Sequence, residues 1–146
     1  MTYLSHSVKE TESIAAELAK TLIAGDCVAL EGPLGAGKTQ FVRGLAVALG
    51  ANPRAVSSPT FVLLNIYHGG RLALFHLDAY RTGGADDFES IGFAELLEQQ
   101  GVVVVEWADR VAKILPNRRI LVAIEVLGES DREISIERLG EGSGQP

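Results

Sequence analysis

The sequence is poor in cysteine, in aromatic residues and in long apolar runs. Its one cysteine, Cys27, cannot form an internal disulfide, and it lies in an apolar stretch that predicts a buried core residue. No apolar run approaches the roughly 20 residues that span a bilayer, and no signal segment opens the chain, so we expect a cytoplasmic protein with no membrane association. His6 and His68 have no metal-binding partner at a useful spacing, which argues against a zinc site.

Basic residues are also few. The chain has 13 Lys and Arg against 19 Asp and Glu, a formal net charge of -6, and the only adjacent basic pair is Arg118-Arg119. A protein that neutralises nucleic-acid phosphates needs clustered basic side chains, so direct nucleic-acid binding is not expected. The 146 residues are 47% apolar, enough for one core. We predict one domain over residues 1–139 and a frayed polar tail over 140–146.

The beginning of the chain has the pattern of an amphipathic helix. Ser7 and Glu10 have the spacing of a capping box, in which each side chain accepts from a free backbone N–H at the helix start. Apolar residues follow at helical spacing, and Gly25 is predicted to stop the helix. These apolar residues are Ile14, Leu18 and Leu22.

A glycine-rich loop follows the short apolar strand predicted at 27–31. The loop fits G-x-x-x-x-G-K-[ST], and its residues are Gly32, Pro33, Leu34, Gly35, Ala36, Gly37, Lys38 and Thr39. In such a P-loop the glycines let backbone N–H groups surround a polyphosphate, the lysine reaches the β- and γ-phosphates, and the Thr hydroxyl binds Mg²⁺. A second helix, with Phe41, Leu45 and Leu49 on one face, is predicted to begin there and to end at Gly50. The sequence therefore predicts ATP and Mg²⁺ as ligands.

The rest of the chain alternates between strand and helix patterns. Residues 60–67 and 72–77 are rich in β-forming residues around a glycine turn, which predicts an antiparallel hairpin. Residues 86–99 are predicted to be helical with an interruption near Gly92, and the four valines at 102–105 indicate a strand buried on both faces. Further strands are predicted at 120–126 and 133–136. The expected fold is a single P-loop NTPase-like α/β domain with three layers, whose central mixed sheet includes the hairpin.

Phosphoryl transfer also needs an acid at the metal and a group that positions the attacking nucleophile. Two carboxylates follow apolar strands, Glu106 after the valines and Asp78 after the second strand of the hairpin. Glu106 is the stronger candidate, because an acid directly after a doubly buried strand faces the ligand cleft at the carboxyl edge of the sheet. Both remain candidates on the pattern alone.

Four motifs in order resemble the TsaE family, also called YjeE. The P-loop is followed by Ser58-Pro59-Thr60-Phe61, then by His76-Leu77-Asp78-Ala79-Tyr80-Arg81, and then by Val105-Glu106-Trp107. The P-loop alone is common to many proteins, but the combination is specific. The resemblance covers most of the chain, from the first helix to Arg132. One departure is Ala108, at a position where the family often has proline, which leaves the placement of Asp109 open.

The resemblance implies a small bacterial ATPase required to form N6-threonylcarbamoyladenosine at position 37 of tRNA. Proteins of this family bind the complex of TsaD and TsaB, and their ATP hydrolysis is thought to reset that complex between turnovers. The acidic charge of the chain agrees with a role in which a partner subunit holds the tRNA, so tRNA contact would be indirect.

The resemblance also assigns residues. Lys38, Asp78 and Glu106 would serve catalysis, with Thr39 and Glu106 at the magnesium ion. Trp107 would lie beside the nucleotide, Asp78 close to the γ-phosphate, and Thr60 on a loop that senses that phosphate. Thr11 and Arg132 would line the adenine and phosphate sides, or they are ordinary surface residues.

Two other functions stay open on the sequence. A small-molecule kinase could use the same P-loop, but no arginine lies between Gly83 and Gln100 to form a lid over the phosphates. A non-catalytic nucleotide-sensing module would need neither carboxylate. GTP is disfavoured because no Asn-Lys-x-Asp motif is present. His76 is predicted to be a hydrogen-bonded core histidine, while Arg81 could serve the nucleotide or a partner.

Overall fold

The computed structural model describes residues 1–52, 64–68, 70–79 and 92–140. In these residues the strands are β1 (Thr2–Ser5), β2 (Cys27–Glu31), β3 (Leu64–Tyr67), β4 (Ala73–Asp78), β5 (Gly101–Glu106), β6 (Arg119–Val126) and β7 (Arg132–Leu139). The helices are α1 (Val8–Ala19), α2 (Lys38–Ala48), α3 (Phe93–Leu96) and a 3₁₀ helix (Ala108–Ile114).

The described strands form one seven-stranded mixed sheet in the order β1-β7-β6-β2-β5-β4-β3. The central strands β6, β2, β5 and β4 run parallel to one another, and the β3–β4, β6–β7 and β1–β7 pairs are antiparallel. The predicted mixed sheet and antiparallel hairpin are therefore confirmed. The carboxyl ends of four parallel strands lie at one edge, which is where α/β sheets bind ligands.

Two apolar layers cover the sheet. Alternate residues of β2 and β5 point to opposite faces, as the pleat of a strand requires. Val28 and Val104 pack with α1 and α2, whereas Ala29 and Val105 pack with α3 and the 3₁₀ helix. The three-layer prediction is confirmed. Cys27 is 1% exposed, and burial raises the pKa of its thiol to about 12, so it is a core residue as predicted.

The prediction that a helix is the first element was wrong, because the short strand β1 precedes it. β1 pairs with β7 at the far end of the chain, from Thr2 opposite Ser135 to Ser5 opposite Arg132. A four-residue strand has too little alternation to be recognised by its pattern, and its only sheet partner lies far away in sequence.

Helix α1 also ends earlier than the predicted stop at Gly25. Side chains bind its last carbonyls: the Thr21 hydroxyl donates to the Leu18 carbonyl, and the Arg71 guanidinium donates to the Ala19 carbonyl and, past the helix end, to the Leu22 carbonyl. Leu22 is buried even though it lies beyond the helix. Helix α2 ends as predicted, with Gly50 in the left-handed region at φ 109°.

The predicted later strands are confirmed in the part of the chain that the structure describes, whereas the helix predicted at 86–99 ends at Leu96. β5 contains the four valines, and β6 and β7 contain the predicted strands at 120–126 and 133–136. Gly92 precedes α3 with φ 77°, which agrees with the predicted interruption. The helical segment before Gly92 and the tail beyond Gly140 lie outside the described residues.

Candidate functional site

The loop between β2 and α2 has a backbone that requires glycine at several positions. Gly35 and Gly37 have φ angles of 78° and 109°, in the left-handed region that other residues rarely adopt. A Cβ atom at Gly32 would lie 2.7 Å from the Ile124 carbonyl oxygen, so a larger residue would displace the loop from β6. A Cβ atom at Gly35 would meet nothing within 4 Å, so that side of the loop is open to a ligand.

Helix α2 begins at this loop with its first N–H groups lacking a side-chain cap. Its N-cap is Gly37, which has no side chain, and its first turn carries no acidic residue. The first N–H groups of a helix have no partner within the helix, and the helix dipole gives that end partial positive charge. This helix start is therefore suited to bind an anion such as a phosphate.

The Lys38 side chain lies back across the P-loop and is 5% exposed. Its ammonium donates to the carbonyl oxygens of Gly32 at 2.6 Å and of Pro33 at 2.9 Å. The same nitrogen lies 3.8 Å from the centre of the Trp107 ring, within the range of a cation–π interaction. The loop, the lysine and the tryptophan thus form one packed unit.

Carboxylates surround the lysine. Burial lowers the pKa of the Lys38 ammonium, while the negative charges of Glu106, Asp78 and Asp109 act in the opposite direction. Burial also raises the pKa of the Glu31 carboxyl, and the nearby Asp109 carboxylate adds to that shift. The site is therefore a partly dry pocket in which one buried cation faces several acids.

Trp107 has a strained backbone. Its φ of 59° makes it the one non-glycine residue with positive φ in the described part of the chain, and a bulky side chain rarely adopts that conformation. It directly follows β5 and precedes the 3₁₀ helix, so the chain turns sharply and the indole lies against Lys38. Ala108 is the first residue of this 3₁₀ helix, and Asp109 lies in its first turn.

The two candidate acids are direct neighbours across the sheet. Asp78 and Glu106 are the last residues of the parallel strands β4 and β5 and are register partners. They are 5% and 3% exposed. The sequence offered them as alternative candidates for the acid, whereas in the structure both lie at the carboxyl edge of the sheet.

The Thr39 hydroxyl and the Glu106 carboxylate could share a small cation. Thr39 Oγ1 lies 3.4 Å from Glu106 Oε2. Mg²⁺ binds oxygen ligands at about 2.0–2.1 Å and usually takes only one or two protein carboxylates together with water and phosphate. Two oxygens at this separation can both contact one such ion, so the donor set fits magnesium.

A chain of buried polar side chains leads to Glu106 from inside the sheet. His76 Nε2 lies 2.5 Å from Glu106 Oε2, and His76 Nδ1 lies 3.1 Å from the Tyr67 hydroxyl. His76 is 0% exposed, so the prediction of a hydrogen-bonded core histidine is confirmed. Its hydrogen bond to the candidate metal acid was not predicted.

A cavity of about 330 Å³ lies on the other side of the P-loop, at the start of α1. Thr11 and Gln40 line it together with the glycines of the loop. Thr11 Oγ1 is 2.8 Å from Ser5 Oγ, which in turn donates to the Ser7 carbonyl at 2.9 Å. This network fixes the Thr11 hydroxyl at the cavity wall.

Arg132 braces the P-loop from β7. Its Nε donates to the Ala36 carbonyl at 3.0 Å and one terminal nitrogen donates to the Gly35 carbonyl at 3.1 Å. The other terminal nitrogen donates to three carbonyls of the turn between β6 and β7. The guanidinium therefore ties the loop to that turn, with backbone carbonyls as its partners.

The structure brings the residues predicted from sequence into two groups around one loop. On the strand-end side lie Lys38, Thr39, Asp78, Glu106 and Trp107. On the cavity side lie Thr11, Gly35, Ala36, Gly37 and Arg132. Leu34 is at the tip of the loop and 70% exposed. Thr60, Tyr80 and Arg81 lie outside the described residues.

Sequence reasoning missed two features of the site. Gln40 lines the cavity without belonging to a motif, and Ser7, which was predicted only as a helix cap, lines it as well. Tyr67 and His76 form the buried chain, and one signal could have revealed part of it: His76 and Asp78 are two residues apart on a strand and therefore share a face.

In the described ranges, no helix is both long and apolar enough to cross a bilayer. No group of three His, Cys, Asp or Glu side chains in those ranges is arranged to hold a metal ion. A magnesium site of the kind considered above has only one carboxylate and one hydroxyl from the protein, so it would not form such a group.

A glycine-rich loop between a buried parallel strand and an uncapped helix, with acids at neighbouring strand ends, defines a P-loop domain of the α/β class. Residues 5–134 match the family described as "Threonylcarbamoyl adenosine biosynthesis protein TsaE". The chain belongs to the TsaE family.

Individual relatives agree with this assignment. The chain is 42% identical over 136 residues to a tRNA threonylcarbamoyladenosine biosynthesis protein TsaE of Treponema pallidum, with 93% of this chain and 99% of that protein covered. It is also 42% identical over 132 residues to the protein of that name in Bacillus subtilis, with 90% and 82% covered. The crystal structure of Bacillus subtilis YdiB has a similar fold, with a TM-score of 0.80 at 34% identity over 96% of this chain and 86% of that one.

Proposed function

We propose that this protein binds and slowly hydrolyses Mg-ATP to support formation of the threonylcarbamoyl group at adenosine 37 of tRNA. The observation that carries the proposal is the convergence of Lys38, Thr39 and two strand-end acids on one P-loop. Membership of the TsaE family supports the pathway. In this proposal residues 1–139 act as one ATPase domain in the cytoplasm, and residues 140–146 are a tail.

The P-loop would hold the phosphates. Backbone N–H groups of the loop and of the first turn of α2 would donate to the anion, and Lys38 would exchange its carbonyl acceptors for the β- and γ-phosphate oxygens. Thr39 and Glu106 would hold the magnesium ion, which would supply positive charge to neutralise the phosphates. The 3.4 Å separation of their oxygens supports this assignment.

Hydrolysis transfers the γ-phosphoryl group to water, with cleavage of the bond between the γ-phosphorus and the bridging oxygen. Asp78 is the candidate to orient the attacking water, because it is buried beside Glu106 and its charge acts on Lys38. Lys38 would stabilise the charge that develops on the transferred group. Trp107 would keep the lysine in place and limit the access of bulk water.

The base side of the nucleotide would occupy the cavity beside α1. Thr11 and Gln40 offer hydrogen-bonding groups there, and the cavity opens directly from the loop glycines. Arg132 would act by holding the Gly35 and Ala36 carbonyls, which keeps the loop in its ligand-ready shape. Thr60 would respond to the γ-phosphate, as the family resemblance implies.

The partners in this proposal are the TsaD and TsaB proteins. The net charge of -6 and the scattered basic residues do not favour direct binding to tRNA phosphates, so contact with tRNA would run through the partner complex. ATP hydrolysis by this chain would reset that complex between turnovers.

The test is reconstitution of tRNA modification with TsaD and TsaB, with and without this chain, alongside phosphate release from ATP. We expect modification over many turnovers to require this chain, and we expect Glu106→Gln and Asp78→Asn to abolish phosphate release. Glu17→Gln, which changes an exposed acid of α1, is the matched control and should behave as wild type.

The outcomes separate the alternatives. If wild type with TsaD and TsaB supports modification but releases no phosphate, the protein is a nucleotide-sensing module. If ADP forms only when a small acceptor is added, and the acceptor gains the phosphoryl group, the protein is a kinase. If modification proceeds equally without the chain, the proposed function is wrong.

A further inference from the structure

We propose that Tyr67 and His76 are positioning residues for Glu106 and set the affinity of the site for magnesium. The inference rests on the proposed function, in which the Glu106 carboxylate binds that ion. It concerns two side chains that reach the site only from the interior of the sheet.

The strand pairing explains how these groups meet. β4 and β5 are parallel neighbours in which His76 is opposite Val104 and Asp78 is opposite Glu106. Alternate residues of a strand share a face, so His76 and Asp78 both point toward the layer that contains α2. β3 is antiparallel to β4 and brings Tyr67 to the same layer.

Hydrogen-bonding chemistry assigns the donor and the acceptor in each contact between Tyr67, His76 and Glu106. A carboxylate oxygen only accepts, so His76 Nε2–H donates to Glu106 Oε2. In the Nε2–H tautomer the Nδ1 atom is an acceptor, so the Tyr67 hydroxyl donates to it. In the described residues no buried side-chain nitrogen or oxygen is left without a partner, and the hydrogen bonds of Tyr67, His76 and Glu106 contribute to that.

Burial makes the arrangement rigid. Tyr67, His76 and Glu106 are 5%, 0% and 3% exposed, so water has little access to replace a lost partner. The oxygen that accepts from His76 is the same Oε2 that lies 3.4 Å from Thr39 Oγ1. A shift of the imidazole would therefore move the carboxylate relative to the hydroxyl with which it would share the ion.

Outer partners of this kind orient metal ligands, and their loss typically costs about 10–100-fold in metal affinity or activity. A histidine that only fills the core would instead affect folding stability and leave the dependence on magnesium unchanged. The two roles therefore differ in a measurable quantity.

The experiment measures ATP binding by titration calorimetry at a series of Mg²⁺ concentrations and in EDTA. In His76→Leu we expect the Mg²⁺ concentration for half-maximal tightening to rise about 10–100-fold, with binding in EDTA unchanged. His76→Gln keeps an N–H donor for Glu106 and should recover most of the loss. Tyr67→Phe, which nearly conserves the side-chain volume, should raise the Mg²⁺ concentration for half-maximal tightening about two- to tenfold, as expected for the loss of one hydrogen bond.

Matched controls use residues of the same types away from the site. Tyr3→Phe on β1 and His68→Gln, an exposed residue after β3, should leave the Mg²⁺ dependence as in wild type. A second readout needs no ligand: the ¹⁵N spectrum of His76 in the free protein should show the Nε2–H tautomer and should change in Tyr67→Phe.

Each result decides. Unchanged Mg²⁺ dependence in folded His76→Leu and Tyr67→Phe would overturn the positioning role while the proposed function stood. If His76→Leu does not fold, Tyr67→Phe and His76→Gln decide on the same criterion. If wild type itself shows no ATP binding with Mg²⁺, the proposed function fails and this inference fails with it.

Discussion

The helices α1 and α2 pack side by side but begin in opposite ways. At the start of α1 the Ser7 hydroxyl accepts from the Glu10 backbone N–H at 3.1 Å, and the Glu10 carboxylate accepts from the His6 backbone N–H at 2.8 Å. The second bond goes to His6 and not to the N-cap residue itself, which differs from the usual capping box. At the start of α2, Gly37 offers no side chain.

The presence or absence of side-chain caps distinguishes a helix start that only stabilises the fold from one that can bind a ligand. The start of α1 is satisfied by the protein's own side chains, and Glu10 places a negative charge at the positive end of that helix dipole. The start of α2 has no such charge and carries the Lys38 ammonium instead. A helix that leaves its first N–H groups uncapped is stabilised when an anion arrives.

Among changes at the two helix starts, we expect the largest effect from Lys38→Ala, which removes the cationic side chain at the start of α2. The change deletes a charge-assisted contact to the phosphates, which is worth about 1.5–3 kcal/mol, so ATP affinity should fall about 10- to 150-fold. Lys20→Ala, which removes an exposed lysine after α1, is the matched control. Calorimetric titration of both variants measures the difference, and equal affinities would remove the P-loop from the proposed function.

The second prediction concerns the close packing of α1 against α2. Gly44 of α2 lies against α1, where a Cβ atom would be 2.5 Å from the Glu12 carbonyl oxygen and 2.8 Å from the Ala15 Cβ. The neighbour is backbone and cannot rotate away, so we expect Gly44→Ala to destabilise the fold by about 1–3 kcal/mol in urea unfolding.

Gly128→Ala is the control for that substitution. A Cβ atom there would meet Asp131 atoms no nearer than 3.9 Å, so little change in stability is expected. If Gly44→Ala were neutral or stabilising, the close contact between the helices would not limit their packing.

The local features that distinguish the two helix starts could be predicted from the sequence. The N-cap Ser7, the P-loop and the glycine that ends α2 each depend on a few consecutive residues and were predicted in place, whereas the return bond from Glu10 goes to the His6 N–H and not to the Ser7 N–H. The strand-end position of Glu106 was also predictable, because four consecutive valines have the composition of a strand buried on both faces.

Features that depend on long-range pairing were not predictable. The sheet order follows from how the connections cross the sheet, and β1 is defined mainly by its pairing with β7. The contact between His76 and Glu106 joins positions 30 residues apart, so it requires the β4–β5 register. Asp109 acts on Lys38 because Trp107 turns the chain at an unfavourable φ angle, which no pattern indicated.

A smaller effect is expected from opening the start of α1. Ser7→Ala removes the side-chain acceptor of the Glu10 N–H, and loss of such a cap typically costs about 1 kcal/mol. Urea unfolding should show a lower midpoint with an unchanged slope. Ser13→Ala, in the middle of the same helix, is the control and should be neutral or slightly stabilising because alanine has the higher helix propensity. An unchanged midpoint in Ser7→Ala would mean that water replaces this cap without loss.

The smallest effect depends on pH. His6 Nδ1 lies 2.9 Å from the Asp131 carboxylate, which joins the chain before α1 to the turn before β7. This hydrogen bond, together with the charge of Asp131, raises the pKa of His6 above 6.5. A raised folded pKa means that the stabilisation is complete below the ordinary pKa and is lost as pH rises through the folded value. Stability relative to His6→Gln should therefore be greater in mildly acidic than in mildly alkaline urea titrations. His68→Gln should retain the wild-type difference, and a wild-type advantage that grew with pH would show that the Asp131 contact does not form.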